Sequence, residues 1–412
     1  MKIPRLCLIP MLFSLAAPAV PVLAADAGVP IFNGENLEGW VQRGGKAKYT
    51  VEDGVIVGET IPGTPNSFLC TEASYSDFIL EYEFKVDERL NSGVQIRSNS
   101  LPDYRNGQVH GYQVEIDPDQ EPRKHGGVER PRLWTGGIYE EGRRGWLNDL
   151  FDNDAARAAF KPGEWNHIKV HAVGDWIRTW LNGVPAADLR DSMTQTGFIA
   201  LQVHGVGNKK GGPWQVRWRN LTIRDLGAHS WRPLFDGETL EGWKPLPGGT
   251  WTVEDGAIVG RSPASESRHG ILLSDEEFGD FALRAQFRVI SGDSGLYFRC
   301  EPVSGGVAVH GFQVEVDSSQ ETGGLYETGG RAWVVKPSES EIPKKKYQPG
   351  EWTDLRLSAH GSRITVQING VKTAELKDDP GRKSGRIGLQ LHGGQKMHVE
   401  FKEIEVLEPR RP

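Results

Sequence analysis

Every segment that punctuates the first half of this 412-residue chain returns, in unchanged order, in the second half. FNGENLEGW (Phe32–Trp40) recurs as FDGETLEGW (Phe235–Trp243), and YTVEDGVIVGE (Tyr49–Glu59) as WTVEDGAIVGR (Trp251–Arg261). VHGYQVEID (Val109–Asp117) recurs as VHGFQVEVD (Val309–Asp317), and LQVHG (Leu201–Gly205) as LQLHG (Leu389–Gly393). A period of about 200 residues is far longer than the units of solenoid repeats, so each copy must bury a core of its own. The expected arrangement is two tandem domains, residues 29–226 and 231–408, joined by a linker short enough to keep them in contact.

Within each copy, short alternating segments are separated by Gly, Asn, Asp and Pro. FILEYEFKV (Phe78–Val86) alternates apolar and polar residues, and IRTWLNG (Ile177–Gly183) ends in the Asn-Gly pair of a tight hairpin. Helical periodicity is confined to DNDAARAAF (Asp152–Phe160), in the first copy only. The pattern predicts an all-β fold: two tandem sandwiches of antiparallel sheets, of jelly-roll rather than immunoglobulin type. The copies differ most at Asp119–Trp134, where the second has only Ser318–Glu321, so this stretch is either a site-shaping loop or a neutral insertion.

Strand alternation sorts the polar residues by face. In GYQVEID, Tyr112, Val114 and Ile116 point to one side, and Gln113, Glu115 and Asp117 to the other. The second copy repeats the row as Gln313, Glu315 and Asp317. The same reasoning places Arg97 (Arg299 in the second copy), the pair Gln202 and His204 (Gln390 and His392), and Tyr139 (Tyr326) as candidates for one groove. The alternative is that they are outward strand residues satisfied by water or cross-strand ion pairs. Their joint retention favours the groove, because surface pairs such as Lys169/Arg356 and His171/Ser358 have changed. Two carboxylates two residues apart on a strand suit either work on a sugar or the holding of a divalent cation, here through Glu115, Asp117 and His204.

Lys2 and Arg5, the apolar run Leu6–Val20 and the small residues around Ala24 read as a signal peptide over residues 1–25. A periplasmic or secreted protein follows, with no membrane attachment after cleavage. A net charge of −7 argues against nucleic acid as a partner. Outside the signal segment only Cys70 and Cys300 remain; their positions in the two copies do not correspond, and buried thiols are expected.

FNG-x-L-x-GW, VEDG-x-IVG, NSGV, GYQVEID, TGGIY, GEWN, WLNG, LQ-x-HG and WRNLTIRDL together resemble the 3-keto-disaccharide hydrolase domain, a family of mostly secreted or periplasmic bacterial proteins, once per copy. The resemblance implies a concanavalin A-like jelly roll and cleavage of glycosides whose glucosyl ring carries a ketone at carbon 3. It is stronger in the first copy, which keeps Asn91, Asn166, Trp180 and Arg219-Asn220 where the second has Asp293, Thr353, Gln367 and Lys402-Glu403.

A 3-keto group acidifies the carbon 2 proton, and its removal lets the substituent at carbon 1 depart. Such chemistry needs a base, a polariser for the ketone and an acid for the leaving oxygen. The candidates are His204 or Glu115 as base, Arg97 with Gln113 or Gln202 at the ketone, and Asp117 or Tyr139 at the leaving group. A divalent cation on Glu115, Asp117 and His204 is the alternative electrophile. Two other functions compete: a tandem carbohydrate-binding module without catalysis, and a conventional two-carboxylate glycosidase.

Overall fold

The alternation in Phe78–Val86 and its partners buries one side chain in two, and two sheets close over the resulting apolar faces. The computed structural model describes residues 28–125, 127–209 and 211–409. The signal segment expected over residues 1–25 lies outside the described residues. Among those described, no helix is long and apolar enough to cross a membrane.

In the first copy, one antiparallel sheet runs in the order Val184–Arg190, Trp176–Leu181, Asn166–Val173, Asp77–Val86, Gln215–Gly227, Val55–Glu59, Lys48–Glu52, with Val29–Pro30 pairing on Gln215–Gly227. The facing sheet runs Gly145–Asn148, Ile138–Glu141, His110–Ile116, Ser92–Asn99, Phe198–Val203, Ser67–Thr71, Trp40–Gly44. Leu80, Tyr82, Phe84, Val94, Tyr112, Val114 and Trp218 meet between them in a single core. The second copy repeats both sheets and has its own core around Phe287, Phe298, Phe312 and Phe401. Each copy is thus a concanavalin A-like jelly-roll sandwich.

Asn182 and Gly183 take φ of 50° and 83°, and Asn369 and Gly370 take 49° and 77°, the left-handed pair that a two-residue hairpin requires. The helix is a single short segment, Asp154–Ala159, capped by Asn153, whose side chain accepts from the Ala156 N–H at 3.1 Å. Cys70 and Cys300 are both free and buried.

One irregularity decides which side chains reach the site. In the strand Ser92–Asn99, Arg97 has φ of 46°, and pairing with His110–Ile116 shifts register between Ile96 and Asn99. Arg299, at φ of 47°, makes the same bulge in the second copy. A bulge inserts a residue and turns the following side chains. The alternation used to place the arginines therefore fails at that residue.

The copies touch along a polar seam. Asp175 accepts from Ser358 at 2.5 Å and pairs with His360 at 3.3 Å. Arg363 reaches Asp188 at 2.5 Å, and Gln367 donates to Asp191 at 2.9 Å. The expectation that the short linker keeps the copies in contact holds.

Candidate functional site

The strand His110–Ile116 is flanked by Ser92–Asn99 on one side and Ile138–Glu141 on the other, so their registers set the site. Tyr139 lies opposite Gln113, which lies opposite Gln95. One step along, Glu115 lies opposite Gly93, which lies opposite Gln202. Gly93 matters because it has no side chain. A Cβ there would stand 2.5 Å from Gln113 Cδ, the room that Gln113 needs to reach Glu115. Gly295 leaves the same space for Gln313. Gly93→Ala is expected to cost about 1–3 kcal/mol through overpacking and to displace Gln113. Gly295→Ala should show a similar thermal shift; loss of turnover in the first variant alone, read by paired melting and rate assays, marks the first copy as the working one.

Above this row opens a cleft of about 660 Å³, whose walls include Asn91, Gln113, Glu115, Asp117, Tyr139 and His204. Arg132, Glu141 and Trp146 also line it. The floor is almost fully enclosed: Glu115 and Asp117 are 3% and 1% exposed. Glu115 takes hydrogen bonds from Asn91 at 2.6 Å and Gln113 at 2.8 Å. Burial, only partly offset by the amides of Asn91 and Gln113, pushes its carboxyl up to about 7, and Asp117 adds to the rise. Asp117 meets Arg132 Nε at 2.5 Å; burial still raises its carboxyl, against the pull of Arg132.

His204 Nδ1 lies 2.8 Å from the Gly205 carbonyl, which assigns the proton to Nδ1 and leaves Nε2 with its lone pair. Burial lowers its pKa, so the ring is neutral at pH 7. Tyr139 stands edge-on to Trp146, ring centres 5.4 Å apart, and burial and then Glu141 raise its pKa, keeping the hydroxyl protonated.

Gln113, Glu115, Asp117, Tyr139 and His204 are thus brought together; Arg97 and Gln202 are not on the wall. Arg97 is fully buried beyond the bulge, donating to the carbonyls of Ser76 and Gly174 at 2.6 Å each and to Asp77 at 3.0 Å. Arg299 likewise turns to the carbonyls of Gly279, Gly361 and Arg382. Both arginines are tie points of the fold, a correction of their placement in the groove. Gln202 is fully buried and donates to Glu141 at 3.3 Å, so Glu141 presents its carboxylate in Gln202's stead.

Sequence reasoning missed Glu141, Trp146 and, with the most consequence, Arg132. It comes from the insertion at Asp119–Trp134 and lies 5.5 Å from the ring centre of Trp134 and 5.8 Å from that of Trp146. Two signals for it existed: its lack of a counterpart in the second copy, and the aromatic Trp134 two residues on.

The second copy keeps the row but changes its charge. Gln313 donates to Glu315 at 3.2 Å and to Gln390 at 3.3 Å, and His392 repeats the contact of Nδ1 with the next carbonyl, Gly393, at 2.8 Å. Tyr326 stands edge-on to Trp333, as Tyr139 does to Trp146. Asp293 replaces Asn91, however, and Asp317 meets Ser319 and Thr322 rather than an arginine. Asp293, Glu315 and Asp317 bring ligand oxygens within 4.8 Å of one another, the one such cation-sized group among the described residues. Burial and the neighbouring Asp293 hold Glu315 well above the usual carboxylate range. In the first copy Glu115, Asp117 and His204 do not converge in this way, because Asn91 and Arg132 already engage the two carboxylates. The donor set expected for a cation there does not fit one.

No curated protein matches this chain. Among solved structures, a glycosyl hydrolase candidate from Parabacteroides distasonis is 23% identical, with TM-score 0.37, covering 49% of this chain and 95% of its own. A carbohydrate-binding module from Bacillus subtilis is 19% identical, with TM-score 0.28, covering 45% of this chain and 96% of its own. The model of the 3-keto-alpha-glucoside-1,2-lyase-like domain matches twice, over residues 28–224 and 230–407. With one match per sandwich and nearly all of the described chain inside them, this protein belongs to the 3-keto-alpha-glucoside-1,2-lyase-like domain family.

Proposed function

We propose that the first copy cleaves 3-keto-glycosides by eliminating the substituent at carbon 1 and then adding water. The observation that carries this reading is the tuning of Glu115: a buried carboxylate oriented by two amides, its pKa raised to about 7. A base of that strength is far better matched to a carbon acid than an ordinary carboxylate. Glu115 takes the proton from carbon 2, and the C2–H electrons form an enediolate with the ketone. Arg132, already in the cleft, stabilises the oxyanion at carbon 3. The electrons return to form C1=C2 as the C1–O bond breaks, and Tyr139 gives its proton to the departing oxygen. In the second half, His204 Nε2 takes a proton from water as the oxygen adds to carbon 1, and carbon 2 recovers its proton from Glu115. The proton on His204 then returns through water to the Tyr139 oxygen, so the sum is hydrolysis, and the protein is one that acts in the periplasm or outside the cell.

Asp117 fixes Arg132 rather than reacting itself, and Gln113 fixes Glu115. A conventional glycosidase is disfavoured because Glu115, near the end of the strand His110–Ile116, and Asp117, just past it, line the same wall of the cleft instead of flanking it from opposite sides. The test is mass spectrometry after incubation with a 3-keto-glucoside and, separately, with its unoxidised parent. Cleavage of the keto form alone is expected. Cleavage of the parent at a similar rate would make the protein an ordinary glycosidase, and binding of both without cleavage would make it a carbohydrate-binding tandem.

A further inference from the structure

A second cleft, of about 580 Å³, lies between the copies and takes no part in the chemistry above. One wall is the segment with Arg143, Arg144 and Trp146; the other is the turn Lys344–Lys346 with the hairpin end around Gly370. Its floor is part of the polar seam. Arg144 donates to Asp191 at 2.8 and 3.0 Å and to the Gly370 carbonyl at 3.1 Å.

The chain as a whole is acidic, at −7, yet cations outnumber carboxylates around this cleft. Several are already neutralised. Arg143 and Arg144 share Glu140, Arg190 pairs with Asp175 at 3.0 Å, and Lys372 pairs with Glu375 at 2.8 Å. The three consecutive lysines are different. The fully buried Lys345 ammonium donates to the carbonyls of Gln320 and Thr322 at 2.7 and 2.8 Å, which are dipoles and not counter-charges. Lys344 and Lys346 are exposed, and among the described residues neither has a carboxylate within ion-pair distance. Glu341, the acid of the same turn, is taken up by the N–H and hydroxyl of Ser338 at 2.9 and 2.8 Å. The cleft therefore presents a net positive field to whatever enters it.

Trp146 borders both this cleft and the cleft of the first copy. The two spaces therefore share Trp146 as a common wall residue. We propose that the interdomain cleft receives an anionic unit, carrying a carboxylate or a sulfate ester, of the same glycoside whose oxidised ring occupies the first copy. Lys344 and Lys346 of the second copy supply the recognition. The assignment rests on the first copy being the sugar site, and it gives the second copy a part in substrate selection.

The test is calorimetric titration of the full chain at low ionic strength with maltose, with maltobionate as its acidic counterpart, and with maltose carrying a sulfate ester. Both acidic ligands are expected to bind about tenfold or more tightly than maltose, the scale of one or two charge-assisted hydrogen bonds. That advantage should shrink with added salt and disappear in the double variant Lys344→Gln/Lys346→Gln, whose exposed positions leave folding intact. It should persist in Glu115→Gln. Equal affinity for all three ligands, or an advantage that survives the double variant, overturns the proposal. An advantage for one acidic ligand alone supports it and identifies the anionic group. Because the readout is binding, a chain that cleaves no keto-glycoside yet shows the advantage loses the proposed reaction and keeps the anionic cleft.

Discussion

Glu115→Gln is expected to lower turnover of a 3-keto-glycoside by about 10²–10⁴-fold, the range for removal of a general base, while Glu315→Gln leaves it unchanged. The contrast follows from the neighbours of two carboxylates at equivalent positions. Glu115 has the Asn91 amide at 2.6 Å, and Arg132 contributes positive charge. Its pKa of about 7 leaves an appreciable ionised fraction at neutral pH. Glu315 instead faces Asp293 and Asp317, and burial together with those charges keeps it protonated. A protonated carboxyl cannot accept a proton from carbon.

The same reasoning gives the sign of the pH dependence. Below about 7 Glu115 is protonated and inactive as a base, so kcat/KM of the wild type should rise with pH through that value. Burial lowers the pKa of His204, which displaces its titration to the acid side of this limb. Asn91→Asp recreates the second copy's environment and should move the ascending limb to higher pH. Steady-state rates across pH for the four proteins check this. Full activity in both glutamate variants would falsify the assignment, and a limb that does not respond to Asn91→Asp would separate the pH dependence from Glu115.

How far the sequence reached depended on where the strand period held. Within His110–Ile116 every residue keeps its alternation, so Gln113, Glu115 and the core residues Tyr112 and Val114 were assigned to the correct faces. The tight Asn182-Gly183 turn, likewise a local property, was legible. Arg97 was misplaced because a single left-handed residue broke the period, and nothing in SGVQIRS announces it. Gln202 kept its face but lost its access: Glu141, from a strand distant in sequence, covers it. Arg132 reaches the site through the path of an irregular loop, for which residue spacing carries no rule. Retention in both copies was therefore an ambiguous signal. It selected equally for the carboxylate that faces the cleft and for the arginine that holds the sheets together.

Arg97→Met separates those two meanings. The substitution is expected to cost about 3–5 kcal/mol, the penalty for breaking a buried ion pair from one side, while the folded fraction keeps its turnover. The guanidinium donates to two carbonyls and to Asp77, and the bonds to Gly174 and Asp77 are buried. Methionine fills much of the volume but leaves the carbonyls of Ser76 and Gly174 without this donor, and Asp77 with His229 and the Gly174 N–H at 2.9 Å. Arg97→Lys should recover only part of the loss, because one ammonium cannot span three acceptors fixed around a planar fork.

Acid supplies an independent check. Burial alone would raise Asp77, but its bonds to His229 and Gly174 and the charge of Arg97 outweigh it and hold the carboxyl below 3.8. A depressed folded-state pKa stabilises the protein above the unfolded value, and that contribution is lost as pH falls through the folded value. The gap in stability between wild type and Arg97→Met should therefore narrow below about pH 4 as Asp77 protonates. Arg299→Met should cost less, since the charged partner of Arg299 is Asp280, 3.4 Å away and half exposed. Denaturant melts of the three variants, with rates normalised to folded protein, decide the matter. A stable Arg97→Met protein without turnover would put Arg97 back at the substrate, whereas an unstable one with intact turnover shows the duplication preserving this arginine for the fold.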